Sequence, residues 1–367
     1  MKTRAKEALQ AAKRLGAPHQ LAEARSRAAL VFVVEGRLDA AAKALDDAIA
    51  ASRDSGSRYV LEVCLGQRGF VHYWQCEFAA AEATLAESLV LSEENGDGFE
   101  AFLARMFVGL ARTNQGRMSE GLAEFEHAAV LARRNGDRFW EPRLVSHQGY
   151  VHRELGAFEK ARAFDTSALA IARENPSPWA PEVDALLNLC IDGARTSDAG
   201  AEGYIAALEH GVRGNGWLRW MNELRLEAVA AEHFVAVGSL QVGLERAERL
   251  TRIARELRAH GYACTAARVQ AEAALASGRD LSERAAVLAR ALEPLASRPA
   301  PLETWKSRRV LGLLRRRLGD EAGAQGAFAS AADDIDTIVG GTDQPALREC
   351  FIANPAVHEV FTRAGRA

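Results

Sequence analysis

The sequence predicts an all-α solenoid of stacked helix pairs. Three observations carry that expectation. Small residues recur at a fixed spacing of 40 positions. Ala, Leu, Arg and Glu, all strong helix formers, dominate the chain. Pro is scarce, with 10 in 367 residues, and aromatics make up only 7%. This length suits two or three ordinary domains or one long repeat array, and 48% hydrophobic residues can fill a large core.

Charge narrows the function classes. Net charge is −3, with 26% charged residues and a pI near 6.3. That balance argues against a dedicated nucleic-acid binder and against a polybasic membrane protein. The cations are nearly all Arg; the lysines are Lys2, Lys6, Lys13, Lys43, Lys160 and Lys306. No apolar run approaches the ~20 residues of a membrane helix, and Met1 to Gly16 lacks the apolar stretch of a signal peptide. Five scattered cysteines, Cys64, Cys76, Cys190, Cys264 and Cys350, fit free thiols in a reducing cytoplasm better than a disulfide framework.

Four columns define the period. Gly36, Cys76, Gly116 and Gly156 form one; Ala29, Gly69, Gly109 and Gly149 a second. Ala41, Ala81, Gly121 and Ala161 form a third, and Ala48, Ser88, Ala128 and Ala168 a fourth. Each unit reads as helix, turn, helix, with helices of about 14–18 residues by apolar periodicity. Small residues belong where two helices cross closely. The Gly36 column belongs in the turn, where a left-handed cap favours Gly, so Cys76 predicts a distorted turn in the second unit. Between units, Asp54-Ser55-Gly56, Asn95-Gly96-Asp97 and Asn135-Gly136-Asp137 end one helix, and the following Asp can cap the next.

These residues resemble the tetratricopeptide repeat (TPR) family. Its pattern is Gly or Ala in the first helix, Gly in the turn, Ala early in the second helix and Ala-Leu near its end. The stretch from His147 through Gly149, Gly156 and Ala161 to Ala168-Leu169 matches best. Two departures stand out: the usual unit has 34 residues, and Asp165 occupies the place of an expected aromatic, with Phe164 before it. The 40-residue version resembles the sensor arrays of large bacterial signalling ATPases and transcription regulators. HEAT-like repeats share the ~40-residue period, but the small-residue columns favour TPR. The resemblance implies a right-handed superhelix of about eight helix pairs.

The organisation expected runs as follows. Residues 1–16 form a half-repeat, either a capping helix or the trace of a longer polypeptide. Residues 17–176 hold four regular units, and residues 177–216 a degenerate unit or hinge. Residues 217–340 hold three more units, marked by Gly238, Gly278 and Gly319, and residues 341–367 form a C-terminal cap. In that cap Phe351, Ile352, Val357, Val360 and Phe361 are expected to cover the last apolar face.

First helices line the concave face of a TPR solenoid. The resemblance therefore implies groove positions at Ser26, Leu30 and Val33, then Phe70, Tyr73 and Trp74, then Met106, Leu110, Thr113 and Asn114, then Arg143, His147, Tyr150 and Arg153. Further along it implies Glu232, Val235, Arg268, Glu272, Arg309, Leu313 and Arg316. Aromatic anchors near Phe70, Tyr73 and Met106 and cations at Arg143 and Arg153 suit an extended or helical segment with an acidic group; the competing reading packs these aromatics as core. The family's clamp for chaperone C-termini is not expected, since Ser26, Leu30, Gly66, Phe70, Met106 and Leu110 stand where it needs Lys and Asn.

Chemistry is not visible. There is no GxxxxGKS/T, no GxGxxG after a strand, no HExxH, CxxC or GxSxG. His72 and Cys76, four apart, lack two further metal ligands nearby. The arginines at 308, 309, 315, 316 and 317 read as a solvated helix face, and Asp333, Asp334 and Asp336 as the wet side of a terminal helix. The expected function is non-enzymatic recognition by a cytoplasmic bacterial scaffold or sensor. Its partner is a protein or peptide segment, or another copy of itself, with no cofactor, no metal and no membrane. The alternative is a ligand-responsive regulatory domain of a larger signalling ATPase, kinase or transcription regulator.

Overall fold

A computed structural model describes residues 2–174, 182–196, 200–214 and 218–366. Its helices are α1 (Lys2–Leu15), α2 (Pro18–Val34), α3 (Leu38–Ser55), α4 (Arg58–Trp74), α5 (Phe78–Asn95), α6 (Gly98–Asn114), α7 (Met118–Arg134), α8 (Trp140–Glu154) and α9 (Phe158–Glu174). They continue as α10 (Glu182–Thr196), α11 (Ala201–Gly214), α12 (Arg219–Ala236), α13 (Leu240–Leu257), α14 (His260–Ser277) and α15 (Leu281–Leu292). The last four are α16 (Pro301–Arg317), α17 (Glu321–Gly340), α18 (Pro345–Ile352) and α19 (Pro355–Ala364). From α2 to α17 they form eight pairs, each packed on the next. No strand occurs among the described residues. The hinge expected across residues 177–216 falls partly on residues 175–181, 197–199 and 215–217, outside the described ones.

The small-residue columns sit where the helices of a pair cross. A Cβ added at Gly69 would lie 2.3 Å from Leu85, one at Gly109 2.6 Å from Phe125, and one at Gly312 2.8 Å from Phe328. Each glycine is the hole for a large residue of the partner helix sixteen positions on. In unit four that residue is Asp165. It is fully buried and accepts hydrogen bonds from Ser146 Oγ (2.7 Å), Asn188 Nδ2 (2.9 Å) and Arg153 Nη1 (3.2 Å). A satisfied ion pair thus replaces the apolar plug, and it ties α8, α9 and α10 together.

Each turn of the first column closes by the same pair of backbone bonds, such as Gly36 N–H to Val33 O (3.1 Å) and Arg37 N–H to Phe32 O (2.9 Å). The expectation of a distorted turn at Cys76 is corrected here. Cys76 adopts the same left-handed conformation, with φ +60°, and makes the same two bonds. Its Sγ accepts a hydrogen bond from Gly261 N–H (3.2 Å). The strain of a side chain at positive φ is offset by a contact that glycine cannot make.

That contact belongs to a longer seam. Units six to eight and the cap fold back over units one to four, and the four turns dock on them in order. Gly36 meets Trp220 and Leu257; Cys76 meets Gly261; Gly116 meets Pro301 and Thr337; Gly156 meets the backbone of Cys350. Trp220 Nε1 donates to Val33 O (2.9 Å), and Ser119 N–H donates to Gly341 O (3.0 Å). Edge-to-face aromatic pairs cross the seam, Phe70 with Trp220 (6.0 Å between centroids) and Trp74 with Trp220 (5.3 Å), and Trp74 stacks on Tyr262 (5.8 Å). Such pairs contribute about 0.5–1.5 kcal/mol each beyond burial. The exposed Arg258–Asp39 pair alongside (2.9 Å) contributes about 0–1 kcal/mol, so aromatic packing dominates the closure.

In the cap, Phe351, Val357 and Val360 are fully buried as expected, whereas Ile352 is exposed. Three of the clustered arginines are neutralised by this end of the chain: Arg308 pairs with Asp334 (2.6 Å), Arg309 with Glu359 (2.5 Å) and Arg315 with Asp320 (3.9 Å).

Gly36 and Gly56 have matching turn geometry, φ +70° and +67°, but only Gly36 lies on the seam; around Gly56 there is open space. Alanine at either costs about 1–2 kcal/mol for a left-handed side chain. Gly36→Ala is expected to lose about 1–3 kcal/mol more in urea unfolding, by overpacking against Trp220 and Leu257. Equal losses would contradict the seam.

Candidate functional site

Because the coil closes on itself, its inner face bounds a cavity of about 580 Å³. α4, α6, α8, α10, α12, α14 and α16 all contribute to the wall. Nine of the fourteen positions expected at the groove in units one to four line it: Phe70, Tyr73, Trp74, Met106, Leu110, Asn114, Arg143, His147 and Tyr150. Leu30 and Arg153 do not. Leu30 lies in unit one, beyond the cavity, and Arg153 is wholly buried against Asp165. Of the later positions, Glu232 lines the cavity, while Arg268 and Arg309 face a second one of about 630 Å³ beside Gly156 and Cys350. Val235 packs on Gly243 and Thr113 is buried, bonded to Gly109 O (2.8 Å).

One wall is aromatic. Phe70, Tyr73 and Phe107 pack edge to face, with centroids 5.1–5.2 Å apart. Phe70 and Trp74 are only 5% exposed, so they also serve as core across the seam. Burial pushes the Tyr73 and Tyr150 hydroxyls well above the usual phenol range and Tyr262 up to about 12, so all three stay neutral.

Beside these rings the wall carries a charge cluster around the buried Asp184. Arg225 Nη1 lies 2.6 Å from Asp184 Oδ1, and Arg143 Nε lies 3.6 Å from Asp184 Oδ2. Burial pushes the Asp184 carboxyl up, but Arg225, His147 and Arg143 together outweigh it and hold it at about 2. Arg143 also stacks over Phe139 (4.0 Å). His147 sits beside these cations, and burial takes it down to about 4, so its imidazole is neutral at pH 7. Further round, Lys306 Nζ meets Glu154 (2.6 Å) and closes the wall between the two cavities.

Among the described residues, none of the buried thiols is activated. Burial pushes the thiols of Cys76 and Cys190 up to about 12 and raises those of Cys64 and Cys264, the reverse of activation. His72 bonds Glu77 (2.6 Å), and no group of three metal-binding side chains forms among the described residues. No described helix is long and apolar enough to cross a membrane.

Apart from Glu232, sequence reasoning missed the half of the wall that comes from α10, α12, α14 and α16. Asp184, Arg225, Tyr262 and Lys306 lie in units where the 40-residue register slips.

The architecture is that of a TPR-like repeat protein with long units. No family model matches the chain, and no curated protein matches it in sequence. Among solved structures it is similar to Rap protein complexed with Competence and Sporulation Factor, at 12% identity and a TM-score of 0.47, covering 89% of this chain and 77% of that one. It is also similar to the apo form of the quorum sensor NprR from B. thuringiensis, at 12% identity and 0.43, covering 93% and 98%. A tetratricopeptide repeat protein from Parabacteroides merdae is similar at 13% and 0.37, covering 78% and 96%. At these scores the fold rests on the chain's own repeat geometry.

His147 binds its proton far less readily when folded than when unfolded. As pH falls from about 6.5 towards 4 the unfolded chain takes up a proton that the folded one refuses, so stability falls, by up to roughly 3 kcal/mol from this one residue. His147→Gln is expected to flatten the pH dependence of the urea midpoint in that window. An unchanged slope would remove His147 from the account.

Proposed function

We propose that the chain is a binding module that takes a short peptide with apolar or aromatic side chains, and one acidic group, into the cavity enclosed by its coil. The observation that carries this reading is a cavity of about 580 Å³ whose wall combines aromatic rings with two half-buried arginines held by Asp184. Rigid aromatic side chains give contact area at low entropy cost, and charged groups held away from water orient what enters. The seam matters equally. The seam sets the later helices against the earlier ones, so an occupant of this cavity meets wall from both halves of the chain.

A second reading, a ligand-responsive regulatory module, is favoured by one feature. Phe70, Trp74 and Tyr262 belong to the cavity wall, and the same rings pack at the seam. An occupant that shifts them shifts the closure of the coil, which is a way to pass binding on.

The test is thermal shift with a synthetic library of tri- to hexapeptides built from Leu, Phe, Ala and Asp. Binding at one hundred times Kd adds about 2.7 kcal/mol to stability, so bound members raise the melting temperature. Ala228 lines the cavity on α12. Ala228→Phe fills the space and is expected to abolish the shift while leaving the circular dichroism spectrum unchanged. Peptides that stabilise both forms equally would place their binding elsewhere.

A further inference from the structure

The seam joins two rims of the coil and leaves two others bare. Its docking side is the row of first-half turns. Its receiving side is the row of helix starts in the second half: Trp220 on α12, Gly261 on α14 and Pro301 on α16. Each half also has the opposite rim. In the first half the helix starts carry His19 on α2, Tyr59 on α4, Phe99 on α6 and Phe139 just before α8, one ring per unit at a spacing of 40. In the second half the turns carry Gly238, Gly278 and Gly319.

The bare rims repeat the chemistry of the joined ones. Gly238, Gly278 and Gly319 are left-handed, with φ +82°, +70° and +81°. Gly319 closes its turn by the same two bonds as Gly36, from Gly319 N–H to Arg316 O (3.1 Å) and from Asp320 N–H to Arg315 O (2.9 Å). A Cβ added at any of these three glycines meets open space, whereas one at Gly36 comes within 2.9 Å of Trp220. Val237 and Leu318, just before two of these turns, are 49% and 44% exposed. What Gly36 has and these turns lack is a flat ring to lie under. The other bare rim offers such rings: Tyr59 and Phe99 are 61% and 53% exposed, and Phe99 reaches Phe139 with centroids 5.7 Å apart. Apolar rows left in water on both rims mark an interaction surface.

The two bare rims cannot meet within one molecule. Each lies at the far end of its first helices from the seam, and a 17-residue helix such as α4 or α16 is about 25 Å long. A second copy of the chain brings them together.

We propose that copies of this chain associate head to tail, the second-half turns of one copy docking on the first-half helix starts of the next. The contact repeats between molecules the turn-on-start packing that closes each coil. Its two patches differ, so the interface is heterologous, and every added copy presents a fresh rim. Phe99 and Phe139 also line the cavity, so each joint lies against the cavity wall.

The experiment is sedimentation velocity over a range of concentrations, on the full chain and on two paired variants. Tyr59→Lys with Phe99→Lys alters one rim; Val237→Lys with Leu318→Lys alters the other. The unaltered chain is expected to sediment faster as its concentration rises. Either pair buries charge in the joint and is expected to weaken association about hundredfold or more. An equimolar mixture of the two variants, each keeping the rim the other lacks, is expected to form a one-to-one dimer and nothing larger, which also shows both to be folded. Val130→Lys, at another exposed apolar residue, is expected to leave association unchanged. A single-chain species at every concentration overturns the proposal. So does association that survives either pair, a mixture that stays single-chain, or an equal loss in Val130→Lys.

Discussion

The structure depends on the docking of four left-handed turns onto the second half of the chain. A helix-pair solenoid with a spacing of 40 residues presents its first-column turns as one row, and such turns carry almost no side chain. Backbone therefore meets backbone or a flat ring: Gly116 lies under Pro301, Gly156 under Cys350, and Gly36 under Trp220. Bulkier turns would hold the halves apart, and the inner face would remain an open groove. Cys76 is the instructive exception, because its Sγ takes the place of the missing contact by accepting the Gly261 amide.

Closure changes what the inner face is for. The same first helices that line a groove in an open coil here surround a chamber, and groups on them leave bulk water. Charges then have to be managed in sets. Asp165 is matched by Arg153, Asp184 by two arginines, and Arg268 by three glutamates. The preference for Arg over Lys fits this duty, since a planar guanidinium can address several carboxylates at once and is less strongly hydrated.

The helix pairs were legible in the sequence because packing two helices closely leaves a periodic trace of small residues. The first-half wall was legible for the same reason; Phe70, Leu110 and Tyr150 stand at equivalent places in their units, 40 residues apart, as do Trp74 and Asn114. Arg153 was misplaced because its role is set by Asp165, a substitution in the partner helix that turns a groove position into a buried pair. The seam was not legible. Its contacts join residues about 185 apart, as Cys76 to Gly261 and Val33 to Trp220 do (sequence separations 185 and 187). No short-range pattern reports such pairings. They follow from how many units complete one coil, a property of accumulated crossing angles and not of any one unit.

The most direct measurement is hydrogen exchange at two amides. Ser119 and Gly261 lie in the first turns of α7 and α14, where a helix offers its N–H groups no internal partner. Their acceptors lie across the seam, Gly341 O for Ser119 and Cys76 Sγ for Gly261. A closed coil predicts slow exchange at both, comparable with amides in the helix interiors. Exchange as fast as at the open first turn of α4 would show that the two halves do not meet, and the enclosed cavity would go with them.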